Sequence, residues 1–191
     1  MNGKSEKRKI KVGSSLIAEP FMMDTNFKRA VVGICEHSDD KGTVGFILNK
    51  PINMNISELI GDVDSDEEFE VYYGGPVATD TLHYLHNVGD LLEESIKVSN
   101  GIYWGGNFKK LKFLIESGII NKGNIRFYIG YSGWEAGQLE VELRIGSWVV
   151  SDLYPNYVFK SKSSILWQQA LNNKGDTYSI IAQIPNYMSY N

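Results

Sequence analysis

The residue whose setting is closest to that of a catalytic nucleophile is Ser132, in the pentapeptide GYSGW that begins at Gly130. An alternating apolar run precedes Ser132 and a helix-forming run follows it, which is the context of a nucleophile elbow. The elbow needs a small fifth residue to keep its turn tight, and the fifth residue here is Trp134. A triad would also need a histidine and an acid beside Ser132. We therefore predict that the two glycines turn a strand ending near Tyr131 into a helix starting near Glu135, and that Trp134 is buried.

The pair His83 and His86 has the residue type of a metal site. Both lie in the run LHYLHN, which alternates like a strand, so side chains three positions apart face opposite sides. Two ligands on opposite faces cannot share one ion. We predict structural or surface histidines, with no bound transition metal and no other cofactor.

An acidic segment imitates the start of a calcium-binding loop, with Asp62, Asp64 and Asp66 at alternate positions. Such a loop needs glycine at its sixth position and glutamate at its twelfth. Those positions hold Glu67 and Tyr73, so we predict an ordinary solvated loop.

Three turns are candidates for the walls of a binding groove: NKP at 49–51, GGP at 74–76 and GYSGW at 130–134. Glycine-rich turns let a ligand approach the backbone closely, and the tyrosine and tryptophan of the third turn offer aromatic surface. The consecutive amides of the GGP turn could bind an anion, although a plain tight turn explains the same residues. The predicted groove residues are Asn49, Lys50, Gly74, Gly75, Pro76, His86, Tyr131, Ser132, Gly133, Trp134 and Gln138, and we assign no catalytic residue.

The overall charge argues against binding to nucleic acid. The 191 residues carry a formal net charge of −4, with a pI of about 5.4. An acidic protein gains little from the counterion release that drives binding to a phosphate backbone. The basic residues within 1–12 predict a flexible, solvated tail rather than a binding surface. We expect no direct, sequence-specific duplex binding at physiological salt.

The cysteine content and the hydropathy point to the cytoplasm. Cys35 is the only cysteine, so no intrachain disulfide can form, as is usual in a reducing compartment. It lies among apolar residues, where a buried, inert thiol is expected. No apolar run reaches 18 residues and no signal-peptide pattern is visible, so we expect a soluble cytoplasmic protein without membrane contact.

The hydrophobic pattern mixes strands and helices without a regular β-α-β alternation. The segments 30–36 and 43–49 are strand-like, and the polar HSDDKG between them predicts an antiparallel hairpin. Further strands are predicted at 71–73, 82–86, 124–131 and 147–150 and, as a pair, within 95–104. Helices are predicted at 108–117, 135–145 and 163–173. We predict an α+β fold: one compact domain over 13–191, with a mixed, mostly antiparallel sheet curled toward a barrel and a few packed helices.

Two of these segments have a predicted buried face. In the strand 124–131, alternation places four side chains together: Ile125, Phe127, Ile129 and Tyr131. In the helix 135–145, helical spacing gives an inner stripe of Ala136, Leu139 and Leu143.

Several segments resemble the YqgE/AlgH family in sequence and in order. They are GSSLIAEP (13–20), FKRAVVGICEH (27–37), GTVGFILNKP (42–51), YGGPV (73–77), LH (85–86) and GYSGWEAGQLEVEL (130–143). The last is the most specific, and residues 151–191 match only loosely. The resemblance implies a compact α/β fold with a barrel-like mixed sheet, in a bacterial, cytosolic protein. Some members are labelled transcriptional regulators, and the family supplies no agreed catalytic residues.

The family usually has alanine where this chain has Ser132, which argues against a family-wide nucleophile. The leading hypothesis is a non-enzymatic binding or regulatory protein that takes a small-molecule, peptide or protein partner and acts on gene expression, if at all, indirectly. One alternative is a small hydrolase or transferase that uses Ser132 or His86. The other is a direct DNA-binding regulator, which the acidic pI and the lack of a visible helix-turn-helix disfavour.

Overall fold

One curled sheet forms the framework of the protein, whose residues 9–61, 63 and 67–185 are described in a computed structural model. The strands are β1 (Ser14–Ala18), β2 (Val31–Ser38), β3 (Gly42–Ile47), β4 (Pro51–Asn55), β5 (Glu70–Tyr73), β6 (Val77–His86), β7 (Ile96–Ser99), β8 (Ile102–Trp104), β9 (Ile125–Trp134) and β10 (Trp148–Asp152). The helices are α1 (Ser57–Ile60), α2 (Phe108–Glu116), α3 (Gln138–Arg144), α4 (Pro155–Phe159), α5 (Ser163–Asn172) and α6 (Asp176–Ala182).

The long strand β9 joins the two halves of the sheet, whose strand order is β10-β1-β2-β3-β9-β6-β8-β7. The first half of β9 pairs with β6 in antiparallel fashion and with β5 in parallel, and its last residues pair with β3. β4 pairs with β5. The predicted α+β class is confirmed, as is the β2–β3 hairpin. Among the described residues, no helix is long and apolar enough to cross a membrane.

The helices cover three apolar clusters on the faces of the sheet. The first cluster packs α4, α5 and α6 against the interior of the curl, and the second packs α2 against the other face of β9. The third lies under α3 and also contains Ile10, which is 5% exposed although it falls within the predicted tail. The first turn of α2 is capped by Asn107, whose side chain accepts the Lys110 N–H at 3.0 Å.

Gly130 interrupts the alternation of β9. Its φ is +64°. Beside it the register of the β6–β9 pair is irregular, because five residues of β6, from Val77 to Leu82, span the same distance as two residues of β9. Because of this irregularity, Tyr131 packs with Tyr128 in the first cluster, whereas the residues at 125, 127 and 129 lie in the second. The prediction that Tyr131 shares their face is therefore wrong: a left-handed glycine reverses the side-chain direction.

The GYSGW segment is strand rather than turn. Thr43 lies opposite Trp134 and Gly45 opposite Ser132, so the ladder with β3 holds β9 extended to Trp134. The turn comes at 135–137, where Gly137 has a φ of +79°. The predicted end of the strand near Tyr131 and start of the helix near residue 135 are both about three residues too early.

Trp134 is buried as predicted, at 4% exposure. Its ring stacks on Phe27 with centroids 5.8 Å apart and meets the edge of Trp148 at 6.0 Å. One carboxylate oxygen of Glu142 accepts both indole N–H groups, at 3.0 Å from Trp134 and 2.7 Å from Trp148. Ala136 lies before α3 and is exposed, so it does not belong to the inner stripe that the sequence predicts.

We predict that Trp134→Ala lowers the free energy of unfolding by about 3–5 kcal/mol, because it removes a buried ring and leaves a cavity. The matched control is Ile145→Ala, since Ile145 is 74% exposed just beyond α3 and should change stability by less than about 0.5 kcal/mol. Urea unfolding of both variants measures the difference. Equal stabilities of the two variants would contradict this packing.

Candidate functional site

Two glycine-rich segments touch backbone to backbone at the centre of the sheet. A Cβ added to Gly74 would lie 2.3 Å from the Gly130 carbonyl oxygen. One added to Gly75 would lie 2.3–2.4 Å from backbone atoms of Tyr131 and Ser132. No side chain fits at either position. We call this contact, formed by Gly74 and Gly75 against 130–132, the glycine crossing.

Hydrogen bonds bring the end of β3 to the same place. Gly74 donates its N–H to the Ile129 carbonyl at 2.8 Å, and its own carbonyl accepts the Ile47 N–H at 2.9 Å. The Tyr73 N–H donates to the Lys50 carbonyl at 2.8 Å. The three predicted turns thus meet through their backbones, and the Gly74 amide is used in pairing.

Ser132 has no nucleophile geometry. Its side chain is fully buried, and its Oγ donates to the Gly74 carbonyl at 3.0 Å. A nucleophilic serine instead needs a base at this distance and a route to substrate. Here the hydroxyl joins the two segments of the glycine crossing.

His86 is a buried structural histidine. Its Nδ1 accepts the Val88 N–H at 3.3 Å, so the proton of the neutral ring is on Nε2, which donates to the Gly105 carbonyl at 2.8 Å. The Ser95 hydroxyl lies 3.1 Å from the same nitrogen, and the ring stacks on Tyr103. Burial lowers the pKa of His86, and the hydrogen bond to Gly105 offsets part of this.

His83 lies on the other face of β6 from His86, as predicted. Its ring is 5.1 Å from Phe46 and 5.9 Å from Tyr131, whereas the His86 ring stacks on Tyr103. The two histidines therefore cannot ligate one ion.

Asn49 and Lys50 hold the segment before β2. The Asn49 side chain accepts the Val31 N–H and donates to the Arg29 carbonyl, both at 2.9 Å. Lys50 Nζ donates to the carbonyls at positions 25 and 26, at 2.9 and 2.7 Å. Burial lowers the pKa of Lys50, and Asp24 nearby partly restores it. Both side chains are satisfied within the fold.

Pro76 is exposed just before β6, and the other four predicted groove residues divide between two faces of β9. Trp134 and Gln138 belong to the α3 side, where Gln138 Nε2 donates to Glu142 Oε1 at 3.1 Å. Tyr131 and Gly133 belong to the opposite side, since a Cβ on Gly133 would lie 3.2 Å from the Tyr131 ring. The sequence therefore predicts one groove where the structure has two surfaces.

Three partly exposed rings, His83, Trp104 and Tyr131, cluster above buried Phe46, and we call them the aromatic face. Phe46 lies 5.1 Å from the His83 ring and 5.6 Å from Trp104, and His83 lies 6.2 Å from Trp104. Burial lowers the pKa of His83, which favours the neutral ring at pH 7. Sequence reasoning did not select His83 or Trp104 for this surface, because only the pairing of β8 with β6 brings Trp104 here.

A cavity of about 420 Å³ lies at the other end of β9 and was not predicted from the sequence. Its lining contains Glu68, Phe69, Glu70, Tyr72, Lys122, Ile125 and Arg126. The Arg126 guanidinium stacks on the Tyr72 ring at 4.5 Å, and its buried Nη1 has no hydrogen-bond partner among the described residues. The three aspartates of the calcium-like segment lie outside the described residues.

Comparison with known proteins matches residues 15–179 to the family described as AlgH-like. This chain belongs to the AlgH-like family. It is 37% identical over 187 residues to a UPF0301 protein of Chlorobium phaeobacteroides, covering 98% of this chain and 99% of the relative. It is also 37% identical over 174 residues to a UPF0301 protein of Cytophaga hutchinsonii, covering 91% and 94%.

Solved structures show the same AlgH-like fold. The solution structure of AlgH from Pseudomonas aeruginosa is 28% identical, with a TM-score of 0.70 and coverage of 91% of this chain and 94% of that one. A crystal structure of a protein from Corynebacterium diphtheriae has a TM-score of 0.77, with coverage of 94% and 95%. At 20% identity, the second likeness concerns the fold alone.

The lowered pKa of His86 predicts acid sensitivity. Since its pKa in the folded protein is below the value of about 6.5 in the unfolded chain, the unfolded state binds more protons as the pH falls through that value. His86 therefore contributes a loss of at most about 1.4 kcal/mol of stability per pH unit in this window. Urea unfolding of the wild type and His86→Gln at pH 7.5 and 5.5 (about one unit either side of that value) should show a smaller pH dependence in the variant. An identical pH dependence would exclude this role.

Proposed function

We propose that this AlgH-like protein is a non-enzymatic binding protein of the cytoplasm that holds an extended peptide segment of a protein partner on its aromatic face. The observation that carries the proposal is the cluster of three partly exposed rings above Phe46. Any effect on gene expression is then indirect and passes through that partner.

The chemistry of the aromatic face suits a peptide. Aromatic rings supply a large contact area at low entropic cost, and aromatic-lined surfaces bind extended or proline-rich segments. The neutral ring of His83 keeps the centre uncharged, and Thr81 Oγ, 3.0 Å from His83 Nε2, holds that ring in place. The exposed segment 77–81 beside it offers a polar rim of the kind that surrounds interface cores.

The hydrolase or transferase alternative has little geometric support. Ser132 Oγ and the His86 ring are buried and are used in separate internal hydrogen bonds. They lie in different parts of the sheet, so His86 cannot serve as the general base for Ser132. Direct DNA binding remains disfavoured by the net charge of −4.

The test is photo-crosslinking in cells that lack their own copy of the gene. A benzophenone amino acid at position 131 should give a discrete crosslink to a protein, and Trp104→Ala in the same chain should weaken it about tenfold, as expected for an aromatic anchor. The matched control is the same amino acid at position 113, because Phe113 is 56% exposed on α2, away from the aromatic face. Equal crosslinks from both positions, or none, would contradict the proposal.

Ser132→Ala separates binding from catalysis in the same cells. The variant loses one buried hydrogen bond, worth about 0.5–1.5 kcal/mol. The Gly74 carbonyl still accepts the Ile47 N–H. It should fold, retain the crosslink and restore the transcript profile of the deletion strain. A folded Ser132→Ala protein that fails to restore the profile would favour the enzyme alternative.

A further inference from the structure

One imidazole and two carboxylates meet where the β2–β3 hairpin approaches α3. His37 lies near the end of β2, Asp39 lies in the hairpin turn, and Glu140 lies in α3. One ligand atom from each of the three lies within 4.8 Å of those of the other two. The group combines two elements that are far apart in sequence, and no part of the binding proposal uses it.

A hydrogen bond to Thr43 fixes the orientation of the His37 ring. Its Nδ1 lies 2.8 Å from Oγ1 of Thr43, its cross-strand partner, which is 4% exposed. The other nitrogen, Nε2, points toward Asp39, whose Oδ1 is 3.6 Å away, and the His37 side chain is only 10% exposed. Metal-binding histidines characteristically use the second ring nitrogen in such a hydrogen bond, which holds the ring in place and sets its tautomer.

Glu140 is positioned independently of the hairpin. Glu142, two residues further along α3, accepts the indole N–H groups of Trp134 and Trp148 and so holds the helix against the sheet. Trp134 is in turn paired with Thr43, the residue that holds His37. The packing of Trp134 therefore fixes the hairpin that carries His37 relative to the helix α3 that carries Glu140.

We propose that His37, Asp39 and Glu140 form a site for a divalent first-row transition metal such as Zn²⁺, with the remaining coordination positions open to water or a ligand. In a tetrahedral zinc site, bonds of about 2.0–2.2 Å to nitrogen and oxygen place the ligand atoms about 3.3–3.6 Å apart, so the group needs to close by up to about 1.5 Å. The Asp39 side chain is exposed in the hairpin turn and can rotate to do so. Lys9 Nζ, 3.9 Å from Asp39, is a competitor, but both groups are highly exposed and such a pair is weak.

This site revises the expectation of no bound metal, which was based on His83 and His86. The single imidazole here comes from β2 rather than β6, and the two carboxylates come from the hairpin turn and from α3. Nitrogen with carboxylate oxygen favours zinc or manganese over calcium, which prefers an all-oxygen shell.

The experiment is calorimetric titration of the full-length, untagged protein with ZnCl₂ after chelator treatment. We expect one saturable site per chain. His37→Gln and Glu140→Gln should each lower the zinc affinity at least about tenfold. Thr43→Val, which removes only the orienting hydroxyl, should lower the zinc affinity about 10–100-fold. Asp40→Asn is the matched control, because Asp40 is an exposed carboxylate of the same turn outside the group, and its affinity should equal that of the wild type.

Circular dichroism of each variant establishes that it is folded. The absence of saturable zinc binding by the wild type would overturn the proposal. Binding that is unchanged in folded Glu140→Gln would overturn it too, since the ion would then lie elsewhere on the acidic surface.

Discussion

The contact of Gly74 and Gly75 with the backbone of 130–132 is the constraint on which the rest of the structure depends. Two chain segments share a space that any Cβ would fill, and the pairings of β9 with β3, β5 and β6 all adjoin this point. The left-handed Gly130 reverses the side-chain alternation of β9 at this point. Tyr131 consequently faces the curl and Trp134 faces α3, so one pentapeptide contributes to two surfaces.

The same constraint explains why the polar groups near the glycine crossing are engaged in internal hydrogen bonds. The Ser132 hydroxyl and the Gly74 amide are hydrogen-bonded across or beside the contact, and Asn49 holds the neighbouring segment. Two groups of side chains reach solvent away from the glycine crossing. One is the aromatic face, and the other is the group of His37, Asp39 and Glu140 near the turn of the β2–β3 hairpin. Most residues of both groups lie on paired strands or on α3, and Asp39 lies in the hairpin turn.

Local patterns in the sequence were sufficient to predict the β2–β3 hairpin, the helix α2 and the burial of Trp134. Features that depend on distant pairing were not predictable in this way. The extension of β9 to Trp134 depends on a ladder with β3, and the aromatic face needs Trp104 from β8 beside His83. The group of His37 and Glu140 needs the docking of α3, which no spacing in the sequence reveals.

The most direct test of the glycine crossing compares two alanine substitutions by urea unfolding. Gly137 also has a positive φ, +79°, but a Cβ there meets nothing within 4 Å, so Gly137→Ala should lose only about 1–2 kcal/mol of stability through backbone strain. Gly75→Ala drives a methyl group into the backbone at positions 131 and 132, and should lose about 4 kcal/mol or more or fail to fold. Equal losses in the two variants would contradict the central role of this contact.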